Sequence, residues 1–131
     1  MHVKKNILVI DDDHPIRALL THSLERAGFD VFEAENGQVG IEITRSRQPD
    51  LVLLDLNMPG MDGYQFLRLF HEGGGNVPVI ILTANDFNVD ETVDILALDP
   101  SDFVTKTVSP RELIARIQWV LRRRSVRRQD V

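Results

Sequence analysis

Asp11-Asp12-Asp13, Asp55 with Asn57, Thr83 and Lys106 share one trait: each stands at or just past the end of a short apolar run. The runs are Ile7-Leu8-Val9-Ile10, Leu51-Val52-Leu53-Leu54, Val79-Ile80-Ile81-Leu82 and the shorter Phe103-Val104. As strands of one sheet, they bring several carboxylates, a hydroxyl and an ammonium to a single edge. Carboxylates so close repel one another unless a cation stands between them. A hard divalent ion meets that need, and Mg²⁺ suits a few carboxylates, a backbone carbonyl and several waters, with Mn²⁺ as a possible substitute. Oxygen donors without cysteine or clustered histidine argue against zinc or copper. An aspartate that merely caps the next helix explains one acid at one strand end. Charged or hydroxyl groups at four strand ends need another reason.

Unbroken, β-branched apolar runs read as parallel strands buried on both faces, and a weaker strand is expected around Val31-Phe32. The segments between them have helical period. Ile16, Leu19, Leu20, Leu24 and Ala27 mark one helix, ended by Gly28, and a second runs from about Gly37 to Arg47. Phe66, Leu67 and Phe70 mark a third, stopped by Gly73-Gly74-Gly75, and Val89, Val93, Leu96 and Ala97 a fourth. Ser109-Pro110-Arg111-Glu112 is a capping box with proline at the first helical position, and Leu113, Ile117, Val120 and Leu121 form the stripe behind it. Trp119 falls off that stripe, as a partner anchor or packed on a neighbouring helix. Five strand–helix alternations predict an α/β fold with a parallel sheet covered on both faces. Ligands of such sheets bind outside the carboxyl ends of the strands.

At 131 residues and 43% hydrophobic content, the chain suits one domain with a real core. It has no cysteine, which excludes disulfides and thiolate chemistry, and no apolar run of membrane-spanning length. No apolar signal segment follows the first lysines, so a soluble, cytoplasmic protein is expected. The net charge is −5, yet residues 122–131 hold five arginines and one acid. The other 121 residues carry ten basic and nineteen acidic groups, a body unsuited to direct nucleic-acid binding. The arginines read as a helix end entering a solvated linker. Residues 1–122 are thus expected as the domain and 123–131 as a basic tail or linker start. His2, His14, His22 and His71 are scattered without metal-ligand spacing.

Ile7 to Asp12, Asp55-Leu56-Asn57-Met58-Pro59-Gly60-Met61-Asp62-Gly63, Thr83-Ala84 and Phe103 to Lys106, taken in order, resemble the receiver domain of bacterial two-component response regulators from about Asn6 to Arg122. The resemblance implies a doubly wound, flavodoxin-like sheet of strand order 2-1-3-4-5. It implies Asp55 as phosphoacceptor, accepting from the phosphohistidine of a sensor histidine kinase or a phosphotransfer protein. Asp12, Asp55 and the Asn57 backbone carbonyl would bind Mg²⁺, with Asp11 acting through water. Lys106 and the ion would offset phosphoryl charge, and Thr83 would donate its hydroxyl to a phosphoryl oxygen. Thr83 and Phe103 would then switch the face of the fourth helix, fifth strand and fifth helix, read by an output domain, a partner or a second copy. Asn57 and Asn85 occupy positions that tune phosphoryl lifetime, and two amides predict no unusually fast autodephosphorylation.

Three positions depart from that family. Thr107 replaces the proline that usually follows Lys106 in a cis peptide; because a cis bond costs ~3 kcal/mol without proline, the loop is expected to be strained or trans. Asp99-Pro100 replaces Gly-Ala at the end of the fourth helix, so that turn must differ. Gly40 inside the second helix is expected to weaken it by ~1 kcal/mol. Two other classes compete. Asp11-Asp12-Asp13 contains the Asp-x-Asp of haloacid-dehalogenase-type phosphatases, but His14-Pro15 breaks its continuation and the length leaves no room for a cap domain. A pseudo-receiver that only binds partners is disfavoured by the complete acidic set.

Overall fold

The computed structural model describes residues 4–56, 58, 62–73, 75–83 and 89–129. Five strands alternate with five helices: β1 (Asn6–Ile10), α1 (His14–Arg26), β2 (Asp30–Ala34), α2 (Gly37–Arg47), β3 (Leu51–Asp55), α3 (Gly63–Glu72), β4 (Val79–Thr83), α4 (Val89–Ala97), β5 (Asp102–Thr105) and α5 (Pro110–Gln129). All strand pairs are parallel and the order is β2-β1-β3-β4-β5, the arrangement implied by the resemblance. Apolar residues of both strand faces are buried, which is why the runs do not alternate. One face packs Leu8, Ile10, Val52, Leu54 and Ile81 against Phe66, Leu67, Phe70 and Ile95. The other packs Ile7, Val9, Leu53, Ile80 and Leu82 against Leu24, Leu113, Ile117 and Val120. Among the described residues no helix is long and apolar enough to cross a membrane.

Several local expectations are corrected. Leu19 is 60% exposed, because the contact row of α1 follows the i, i+4 line of Ile16, Leu20 and Leu24. Among the α4 side chains described, Ile95 is buried, while Val93, Leu96 and Ala97 face outward. Ser109 Oγ does accept from the Glu112 N–H at 3.1 Å, but the Glu112 carboxylate turns to Arg116 at 3.0 Å instead of completing the box. A full capping box stands at α3, where Asp62 Oδ1 accepts from the Gln65 N–H and Gln65 Oε1 accepts from the Asp62 N–H. Gly40 is a close approach and not a plain weakness: a Cβ there would lie 2.5 Å from Ile10 Cδ1 and 3.2 Å from the Phe66 ring. After α4, Asp99 stands in the left-handed region at φ 54°. Trp119 is half-exposed, with the Arg123 guanidinium stacked over its ring at 4.2 Å.

Candidate functional site

The register aligns the chemistry. Ile10 pairs with Leu54, Asp55 with Leu82, and Thr83 with Thr105, so Asp11, Asp55, Thr83 and Lys106 rise from four neighbouring strands at one rim. Asp11 and Asp55 are each 1% exposed and Thr83 is buried, whereas Asp12 is exposed. Ligand oxygens of Asp11, Asp12 and Asp55 lie within 4.8 Å of one another. Lys106 Nζ donates to Asp55 Oδ2 at 3.1 Å and stands 3.3 Å from Asp11 Oδ2. Its main-chain N–H donates to the Thr83 carbonyl at 2.8 Å, tying β5's exit to β4's end. Burial is the largest single influence on the Lys106 ammonium and pulls its pKa down. The charges of Asp55 and Asp11, and the contacts made with them, together outweigh burial and hold the pKa above the ordinary lysine value.

Capping accounts for only some of the acids. Asp13 is the N-cap of α1, its Oδ1 accepting from the Ile16 N–H at 3.1 Å, and Asp62 caps α3. Asp11 caps nothing: its Oδ1 accepts from the Asp13 N–H at 2.9 Å, and its buried Oδ2 faces the Lys106 ammonium at 3.3 Å. Three carboxylates facing one ammonium leave the rim net negative, and an all-oxygen donor set of this kind fits a small hard cation. The Lys106–Thr107 peptide is trans, and Thr105 Oγ1 lies 2.9 Å from Thr107 Oγ1. Phe103 is half-buried and packs on the α3 side of the sheet, paired with Ile81. Asn57 and Asn85 lie outside the described residues. His14 starts α1 at the surface, its Nδ1 3.2 Å from Arg17 Nη2.

Two contributors escaped the sequence reading. Gly63 lets α3 start against the end of β3; a Cβ there would lie 2.6 Å from Leu56 Cα and 2.7 Å from the Asp55 carbonyl oxygen. Arg17 reaches from α1 to the carbonyl of Asp11 at 2.7 Å. Gly63 closes the quoted Asp55–Gly63 segment, so a glycine at a helix start was a visible signal. Arg17 gave none, being one arginine on a polar helix face.

The family model described as "Response regulator receiver domain" matches residues 7–118. The chain is 42% identical over 123 residues to the phosphate regulon transcriptional regulatory protein PhoB of Pseudomonas aeruginosa, covering 92% of this chain and 53% of that protein. It is 36% identical over 124 residues to the alkaline phosphatase synthesis transcriptional regulatory protein PhoP of Bacillus subtilis, covering 95% and 51%. The chain thus spans about half the length of these curated relatives. Among solved structures, the BeF3-activated N-terminal receiver domain of Klebsiella pneumoniae RstA superposes with a TM-score of 0.82 at 31% identity, covering 90% of this chain and 99% of that one. These likenesses support the receiver reading and not the phosphatase reading. With four strand ends delivering acids, hydroxyl and lysine to one rim, and a family match over most of its length, the chain belongs to the response regulator receiver domains of two-component systems.

Proposed function

We propose that Asp55 accepts a phosphoryl group from the phosphohistidine of a sensor kinase or phosphotransfer protein. A carboxylate oxygen of Asp55 attacks phosphorus, the P–N bond breaks, the imidazole leaves, and an acyl phosphate forms. Lys106 follows the charge from the carboxylate to the phosphoryl oxygens, and its raised pKa keeps it cationic throughout. The Thr83 hydroxyl then donates to a phosphoryl oxygen. Asp12, Asp55 and the Asn57 backbone carbonyl would hold Mg²⁺ or Mn²⁺, with Asp11 acting through water, and the ion would supply positive charge against the same oxygens. Asn57 and Asn85 supply no general base for water, in keeping with no unusually fast loss of the group. The domain assists its own phosphorylation and is not a turnover enzyme.

The observation that carries this reading is the Lys106 ammonium within 3.3 Å of both Asp55 and Asp11, at a rim where a third carboxylate converges. Downstream, Thr83 and Phe103 bias α4, β5 and α5, and an output domain, a partner or a second copy reads that face. The relatives' extra length and their names as transcriptional regulators support an output domain joined to this one. The setting is the cytoplasm.

Intact-mass spectrometry after incubation with acetyl phosphate and Mg²⁺ tests the reading. One added phosphoryl group is expected on the chain, and none on Asp55→Asn or in the presence of chelator. No modification under conditions where Mg²⁺ binds would overturn it in favour of a partner-binding pseudo-receiver.

A further inference from the structure

We propose that Arg17, oriented by Glu33, is a positioning residue that sets the affinity of the acidic rim for its divalent cation. The inference rests on the reading of that rim as a cation site. Arg17 is 12% exposed and spends its guanidinium nitrogens on three different segments. Nη1 donates to the Asp11 carbonyl at 2.7 Å, Nε pairs with Glu33 Oε1 on β2 at 3.0 Å, and Nη2 lies 3.2 Å from His14 Nδ1 at the start of α1. A planar fork with fixed donors suits such multi-point bridging, which a lysine ammonium on a flexible stem does not reproduce.

The importance of the Asp11 carbonyl follows from peptide planarity. That oxygen belongs to the Asp11–Asp12 peptide, whose six atoms move as one plate. Clamping it fixes where the chain enters Asp12, the exposed acid of the cluster. The rest of Asp11 is already held: its N–H donates to the Ala34 carbonyl at 3.1 Å and its Oδ1 accepts from Asp13. With the carbonyl taken by Arg17, Oδ2 is what remains of Asp11 to face Lys106 and the rim. Glu33 in turn ties the clamp to an edge strand that supplies no acid to the cluster. Outer contacts of this kind commonly change metal affinity by 10–100-fold when removed.

Calorimetric titration of the whole chain with MgCl₂, paired with thermal melting, tests the inference. Arg17→Ala is expected to weaken Mg²⁺ about tenfold, the lower end of that range. Arg17→Lys should keep the fold while recovering only part of the affinity, since one ammonium replaces the fork. Glu33→Gln should weaken binding by a smaller factor, and Arg116→Ala, whose partners are Asp102 and Glu112, should leave it unchanged. Arg17→Ala binding Mg²⁺ as tightly as the parent, whatever its melting temperature, overturns the inference. Should Arg17→Ala fail to fold, parent-like affinity in both Arg17→Lys and Glu33→Gln overturns it equally. A parent chain that takes up no Mg²⁺ overturns the cation reading itself, and the positioning role with it.

Discussion

Helices α3 and α4 pack against the same side of the sheet, but α3 buries Phe66, Leu67 and Phe70 there, while α4 contributes Ile95 and leaves Val93 58% and Leu96 55% exposed. The Phe66 and Phe70 rings stack at 5.8 Å, and a reciprocal capping box fixes where α3 begins. An open groove of about 650 Å³ separates the end of α3 from the last turn of α4, running from Tyr64 and Arg68 to Leu98 and Asp99. Fewer buried apolar contacts mean a lower cost of local displacement. The difference divides the rim. Asp11 and Asp55 rise from central strands beside the firmly packed α3, whereas Thr83 and Phe103 belong to the strands that flank α4. On the proposed reading, a phosphoacceptor benefits from a fixed carboxylate and a readout from an element that can yield, and the packing supplies each where it is needed.

Phe66 gives the largest expected effect. Its ring is fully buried and touches both Phe70 and the space beside Gly40, so Phe66→Ala should cost about 3–5 kcal/mol in urea unfolding. Ile95→Ala, in a helix able to settle inward, should fall near the low end of the roughly 2–5 kcal/mol usual for such truncations. Equal losses at the two positions would break the comparison. Gly63→Ala comes next, at about 1–3 kcal/mol, because the new methyl meets main-chain atoms of Leu56 and Asp55 that cannot rotate away. Phosphorylation by acetyl phosphate should slow in the same variant, since the displaced atoms carry Asp55. Gly73→Ala, whose added methyl would meet only ordinary contacts at 3.4 Å or more, is the matched control and should leave both measurements nearly unchanged.

Much of the architecture was legible because period and run length report burial directly. The four apolar runs and the Val31-Phe32 segment are the five strands, and the acids after β1 and β3 reach the same rim as Thr83 and Lys106. The errors were rotational. In α1 and α4 the apolar residues outnumber those that a single contact row can bury, and sequence spacing cannot say which row meets the sheet. Leu19 and Val93 thus marked their helices without facing the sheet, and Ile95, which does, was not singled out. Close approach was equally hidden at Gly40, which nothing in the sequence marks apart from its place inside a helix, and less so at Gly63, which closes the Asp55–Gly63 segment. Arg17 was missed because its partners, Glu33 and a main-chain oxygen, come from segments that only the fold brings together.

Lys106 offers a smaller test that sharpens the picture of the fixed side. Its pKa is raised in the folded chain, so its charged form contributes stability that is complete below the unfolded lysine value of about 10.4. That contribution is lost as pH rises through the higher folded value. Urea midpoints measured with chelator present should show the parent losing stability in this alkaline window more steeply than Lys106→Met. Parallel slopes for the two proteins would mean that the ammonium is not held by Asp55 and Asp11 as the 3.1 and 3.3 Å contacts indicate.

The smallest expected effect is the one that most directly probes α4. Val93 and Leu96 are exposed, so replacing each with serine removes little buried area, and the expected change is within about 0.5 kcal/mol apiece. Serine also ranks below leucine and level with valine in helix propensity, which sets the sign as a small loss at Leu96 and adds nothing at Val93. A cost above about 1.5 kcal/mol at either position would place it among buried truncations and make α4 as firmly seated as α3. A near-zero cost has a further consequence. Two large aliphatic side chains kept on a surface where they contribute nothing to folding leave α4 free to shift without losing apolar contacts, and amide exchange along α4 should then run faster than along α3 in the unphosphorylated chain.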